Sequence, residues 1–152
     1  MNISTDKAIG QHGPNKVFAI DPSLAVPVQS HFGGIAIMTL SGTGQSSDGS
    51  KAIVSDGRVR FWLLNEQRRI IDPAKGILAD QPGDSPTLSN ALYYRSYFTD
   101  PGWQPITLSG SAVIPAGNYY VSAGYDAKES SMDFHALELE VVFIPFPADS
   151  PK

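Results

Sequence analysis

With 152 residues, 41% of them hydrophobic and none of them cysteine, the chain is sized for one domain and can carry neither a disulfide framework nor a thiolate metal site. A formal net charge of −4, with the basic residues scattered, excludes the concentrated cationic footprint that nucleic acid requires. The charged fraction is only 17%, below the usual quarter, which fits a surface partly covered by other subunits.

Residues Met1 to Asn15 are polar and glycine-bearing. They lack the apolar core of a Sec signal peptide and read as a loose N-terminal arm, 1–15. No uncharged apolar run approaches the ~18 residues needed to cross a bilayer. A soluble protein with no membrane span is expected, synthesised in the cytoplasm and then released or held on a particle. One domain is expected over 16–147, followed by a short tail, 148–152. Lys16 to Ile20 is a first short strand, stopped by Asp21-Pro22. Ala25 to Gln29 carries Pro27, which removes a ladder donor and marks an edge or irregular strand. Gly34 to Leu40 is an apolar strand leading into a Gly/Ser loop, Ser41 to Ser50.

Asp56-Gly57 is a two-residue hairpin signal between Ala52 to Ser55 and Arg58 to Leu64. In the second of these strands Val59, Phe61 and Leu63 share one face, while Arg58, Arg60, Trp62 and Leu64 share the other. Arg68 to Asp72 is a short continuation, and Arg68-Arg69 beside Glu66 and Asp72 reads as a local charge cluster. Ala74 to Thr87, broken by prolines, is a surface loop. Leu92 to Phe98 is an aromatic strand, turned by Asp100-Pro101-Gly102 into Ile106 to Ile114. Pro115-Ala116-Gly117 is a tight turn into the next strand. The last strand alternates, with Leu137 and Leu139 on one face and Glu138 and Glu140 on the other, then turns apolar on both faces from Val141 to Ile144. Alternation means one wet face; apolarity on both faces means that a second surface covers the strand. Eight to ten short strands and no capped helical period predict an all-β sandwich, jelly roll or barrel.

The segment Ile114-Pro115-Ala116-Gly117-Asn118-Tyr119-Tyr120-Val121 resembles the Gly-x-Tyr-Tyr-Phe strand of the tumour necrosis factor and complement globular-head superfamily. Pro105-Ile106-Thr107-Leu108 before the glycine turn and Ser131-Met132 before the last strand are similar to bacterial tumour-necrosis-factor-like lectin domains that bind fucosylated glycans. The resemblance covers roughly Leu92 to Ile144 and implies an antiparallel jelly-roll sandwich assembled as a homotrimer. The expected trimer axis is lined by Leu92 to Phe98, Tyr119 to Tyr125 and Val141 to Phe146. The glycan site carries over poorly. Where those lectins have two arginines this chain has Trp103 and Lys128, and where they have an aspartate–serine pair it has His135 and Ala136.

Sugar recognition needs an aromatic face against C–H patches and planar groups for paired hydroxyls. Trp103, on a loop between Pro101-Gly102 and Gln104-Pro105, together with Tyr93, Tyr94, Arg95 and Tyr97, is the candidate platform. Lys128, Asp133 and His135 are candidate polar contacts from the neighbouring loop and strand. Each also has a plainer reading, the tyrosines as interface residues, Trp103 as a plug at the end of the sandwich, and the polar loop as a solvated turn. His12, His31 and His135 have no ligand spacing, and no Gly-x-Ser-x-Gly elbow occurs. No metal, cofactor or catalytic residue is therefore expected. The function expected is a non-enzymatic lectin for a cell-surface glycan or host receptor; the alternative is a virion structural protein such as a fibre head or capsid decoration subunit.

Overall fold

A computed structural model describes residues 2–5, 16–19, 24–46, 54–79, 88, 91–97, 104–127 and 132–148. Among these residues the fold is all-β, with antiparallel pairing and no helix. The strands are β1 (Asn2–Thr5), β2 (Lys16–Ala19), β3 (Ala25–Ser30), β4 (Gly34–Ser46), β5 (Val54–Leu64), β6 (Ile70–Ile71), β7 (Ala91–Tyr97), β8 (Gln104–Ile114), β9 (Gly117–Ala127) and β10 (Met132–Pro145). One sheet runs β1-β10-β4-β8. In the other, β9 and β5 lie side by side. Along the outer edge of β9, β3 pairs with 117–122 and β2 with 124–127, end to end. Along the outer edge of β5, β7 pairs with 54–60 and β6 with 63–64.

One hydrophobic core joins the two sheets. Ala36, Met38 and Leu40 of β4, Ile106 and Leu108 of β8, and Leu137, Leu139 and Val141 of β10 pack against Val26 and Val28 of β3, Phe61 and Leu63 of β5, and Val121 and Ala123 of β9. The alternation read in the sequence is what builds it. Val59, Phe61 and Leu63 are buried, as are Leu137 and Leu139, while Glu138 and Glu140 face out. Pro27 sits on β3, which pairs with β9 alone among the described strands, so its missing N–H disrupts no second ladder.

Three expectations need correction. Asp56-Gly57 makes no hairpin; it lies inside β5, with Gly57 paired to Tyr94 on one side and to Ala127 on the other. Ladders on both flanks outweigh the local turn preference of a two-residue signal. The Gly/Ser stretch after Leu40 continues as strand to Ser46 because β10 and β8 pair with it on both sides. Within the expected loose arm, Asn2–Thr5 forms the edge strand β1 against 137–140 of β10. The tight turn expected at Pro115 is present, and it joins strands of opposite sheets as a corner between layers.

Strand β10 also carries a bulge. His135 pairs with Thr43 and Glu138 with Ser41, leaving Ala136 and Leu137 opposite the single residue Gly42. A Cβ on Gly42 would lie 2.8 Å from Leu137 Cδ2, and Ala136 adopts φ 54°. A left-handed conformation costs a side-chain-bearing residue about 1–2 kcal/mol that glycine avoids. Ala136→Gly is therefore expected to stabilise the protein by about 1 kcal/mol, a rise in Tm of about 2–4 °C by calorimetry. A fall would mean that the Ala136 methyl contributes packing that outweighs its strain.

Candidate functional site

The residues singled out in the sequence fall on both sheets. Tyr93, Tyr94, Arg95 and Tyr97 lie on β7, the partner of β5, with Tyr94 opposite Gly57 and Arg95 opposite Asp56. Asp133 and His135 lie on β10 in the other sheet, opposite Gln45 and Thr43. Trp103 and Lys128 lie outside the described residues. The topology brings the described positions among them toward one end of the sandwich. The end of β7, the start of β8, the end of β9 and the start of β10 all meet there, since Thr43 pairs with both Pro105 and His135 while Gly57 pairs with Ala127.

The opposite end holds a cluster whose side chains are defined. It is built from the β5–β6 hairpin and the first half of β9. The hairpin turn spans Asn65 to Arg69, between the last ladder pair, Leu64 with Ile70, and it is held by one side chain. Asn65 Oδ1 accepts hydrogen bonds from the backbone N–H groups of Gln67 and Arg69, each at 3.0 Å. The Asn65 N–H donates to Arg69 O and the Arg68 N–H to Asn65 O, both at 2.9 Å. This is a three-residue hairpin loop whose third residue takes the left-handed conformation, a position that favours glycine. Here it is Arg68, at φ 60°.

From that position the Arg68 guanidinium carbon lies 4.7 Å from the centroid of the Tyr120 ring. Two residues earlier on β9, Asn118 Nδ2 donates to Glu66 Oε1 at 3.3 Å. The turn is thus tied to β9 at two points, and Glu66, Arg68, Asn118 and Tyr120 form one surface with a ring, an amide, a carboxylate and a guanidinium. Placing an arginine rather than glycine at φ 60° costs about 1–2 kcal/mol. An exposed cation–π contact returns only about 0.5–1 kcal/mol.

Beneath this surface the outer face of β5 and β9 is covered by the chain itself. Trp62, Leu64, Ile70 and Ala25 form a second cluster, with Tyr120 packed against it. The ring of Trp62 occupies a slot that exists because residue 124 is glycine; a Cβ there would lie 1.8 Å from Trp62 Cζ3. Arg60 is fully buried, its guanidinium 5.6 Å from the Trp62 ring centroid. Trp62 Nε1 is buried with no hydrogen-bond partner among the described residues. Ser122 Oγ donates to Leu24 O at 2.7 Å across the β3–β9 ladder. The two-faced apolarity of this sheet is therefore satisfied within one chain. Val121, Ser122, Ala123 and Gly124 are all buried, which removes the middle of Tyr119 to Tyr125 from the expected trimer axis.

On the other sheet the second apolar face is bare. Val142 pairs with Ile37, Ile144 with Ile35, and Ile35 with Val113. All five are exposed, with Val113 at 64% and Val142 at 49%. They form a contiguous block across β10, β4 and β8, bordered towards the bulge by Glu140, Thr39 and Ser109. Contiguous exposed apolar surface rimmed by polar residues marks an interaction face.

No protein-family model and no curated protein sequence matches this chain. Among solved structures, the C-terminal domain of EclA, a sugar-binding protein, is similar over 90% of this chain and 79% of that one, with 14% identity and a TM-score of 0.44. No helix among the described residues is long and apolar enough to cross a membrane.

Sequence reasoning missed the turn site. Glu66 and Asn118 are 52 residues apart, and Arg68 looked like part of a surface charge cluster. The usable signal was the short interval between Leu64 and Ile70 opening on Asn65, an asparagine at the first position of a tight turn.

Proposed function

We propose that this chain is a non-enzymatic glycan-recognition module, a jelly-roll sandwich of the tumour-necrosis-factor type acting as a homotrimer. Two sheets ordered β1-β10-β4-β8 and β9-β5 with split edge strands support the jelly-roll topology, because among the described strands all but one of the pairings join non-consecutive strands. The block Ile35, Ile37, Val113, Val142 and Ile144 supports self-association, since one chain leaves it in water. The observation that carries the recognition role is the surface at the β5–β6 turn. Tyr120 offers ring area, while Asn118 and Glu66 offer the planar amide and carboxylate that engage neighbouring hydroxyls. Three copies held together would convert weak single-site binding into useful avidity on a glycan-bearing cell surface or receptor.

Tyr93, Tyr94, Arg95, Tyr97, Asp133 and His135, toward the other end, are together with Trp103 and Lys128 the competing location for the same activity. A glycan array probed with wild type, Tyr120→Ala and Trp103→Ala separates the two. Loss of the signal in Tyr120→Ala alone, by about tenfold or more, is the expected result. Loss in Trp103→Ala alone moves the site to the opposite end. Failure of the wild-type protein to bind any glycan defeats the recognition role.

A further inference from the structure

Resting on the glycan-binding role just given, we infer that the recognition surface extends across β9 onto β3, with Gln29 as a further contact residue, and that its ligand is an extended glycan of at least two sugar residues lying across the strands. The ladder registers place the groups. Val26 and Val28 of β3 are in the core, so Ala25, Pro27 and Gln29 face outwards. Gln29 pairs with Asn118 of β9 and Pro27 with Tyr120. On the other flank of β9, Tyr120 pairs with Leu64. Glu66, two residues beyond Leu64, therefore comes level with Asn118 and accepts its hydrogen bond at 3.3 Å. Gln29, Asn118 and Glu66 are all exposed and form one polar line running across the strands. Neighbouring strands lie about 4.8 Å apart, so the line from β3 over β9 to the end of β5 is about 10 Å long. One pyranose ring reaches from one of these groups to the next; two joined rings are needed to meet all three.

A second line runs beside the first. Pro27 is exposed and Tyr120 half-buried, and Tyr120 rests on the cluster of Ala25, Trp62, Leu64 and Ile70. Together they make an apolar floor parallel to the polar line, bounded on the side of the turn by the Arg68 guanidinium engaged over the Tyr120 ring. A sugar is two-sided in the same way, with hydroxyls at its edge and C–H groups on its face. A peptide fits a sheet differently, since it adds along an edge strand through main-chain hydrogen bonds. A row of side chains set across the strands favours the glycan. The groups also match. A planar amide donates and accepts side by side, the pattern that neighbouring hydroxyls take up. The Gln29 amide and the Tyr120 hydroxyl make no hydrogen bond with the described residues, and Asn118 uses only its Nδ2, on Glu66. Because Gln29, Asn118 and Tyr120 stand on paired strands, their spacing is set before a ligand arrives, which lowers the cost of binding.

The decisive measurement places the full chain on an array of mono-, di- and trisaccharides, then titrates the strongest di- or trisaccharide and its component monosaccharides by calorimetry. The longer glycan should bind at least about tenfold more tightly than any of its components. Gln29→Ala should remove that advantage while leaving monosaccharide affinity and Tm level, because the side chain is exposed and makes no contact within the fold that its loss would break. A glutamine that is merely solvated would give Gln29→Ala the same affinity for the longer glycan as the wild type, and that result overturns the inference. Equal binding of the longer glycan and a component monosaccharide overturns it too, and both outcomes leave the recognition role intact. Loss of the monosaccharide in Gln29→Ala would put Gln29 in a single-sugar site and defeat the extended ligand. Binding to no glycan overturns the inference and the recognition role together.

Discussion

Gly124→Ala is expected to cost about 3 kcal/mol or more, lowering Tm by roughly 6–12 °C. A single methyl group is seldom so damaging. Here it would sit 1.8 Å from Trp62 Cζ3 and 2.2 Å from Cη2, well inside contact distance, in a face where Trp62 is fully buried and residues 121–124 are buried with it. The indole cannot tilt away without exposing Leu64 or Ile70 of its cluster. The specific expectation concerns coupling. Trp62→Leu should itself cost about 3 kcal/mol through lost burial, yet the double variant Trp62→Leu/Gly124→Ala should be more stable than the sum of the two costs by over about 1 kcal/mol. Additive costs in chemical denaturation would show that the methyl group and the ring do not compete for one space.

The second large effect separates assembly from folding. Val142 and Val141 are neighbours on β10, but Val141 is 3% exposed and Val142 49%. Val142→Asp is expected to keep the β-sheet circular dichroism of the wild type and to sediment as a single chain, because the new charge is solvated in the monomer and buried only in an oligomer. Val141→Asp places the charge in the core, where an unpaired carboxylate costs several kcal/mol, and should abolish folding. An oligomer that survives Val142→Asp, or a wild-type protein that is monomeric at micromolar concentration, would remove the exposed block from any role in self-association.

How much was legible in the sequence depended on whether the cause was local. Period-two alternation placed Val59, Phe61 and Leu63 on the core face, and at Leu137 to Glu140 it named both core and solvent faces correctly, since a strand's side chains alternate whatever surrounds it. Apolarity on both faces from Val141 to Ile144 corresponds to a strand whose outer face, Val142 and Ile144, stands exposed in the single chain. The same sign on β9 was misassigned to a subunit partner when the chain's own Trp62 cluster supplies that cover. Asp56-Gly57 failed because its preference was real but small against two flanking ladders. The candidate site was the least legible part. Aromatic density drew attention to Tyr93, Tyr94 and Tyr97, whereas the surface with defined geometry joins a turn to a strand roughly fifty residues later. Only the β5–β9 register, with Leu64 opposite Tyr120, brings them together.

That register belongs to a chain in which sequence neighbours seldom pair. Apart from β5 with β6, every ladder joins strands that are not consecutive, and Asn2 meets Glu140. A ribosome adding about 5–20 residues per second would release the first strand many seconds before its partner exists. The sheet that carries the exposed apolar block can close only once β10 has been made, so β4 and β8 wait with one edge of β4 unpaired. For this topology, folding waits on β10, and the nascent chain depends on staying soluble until then.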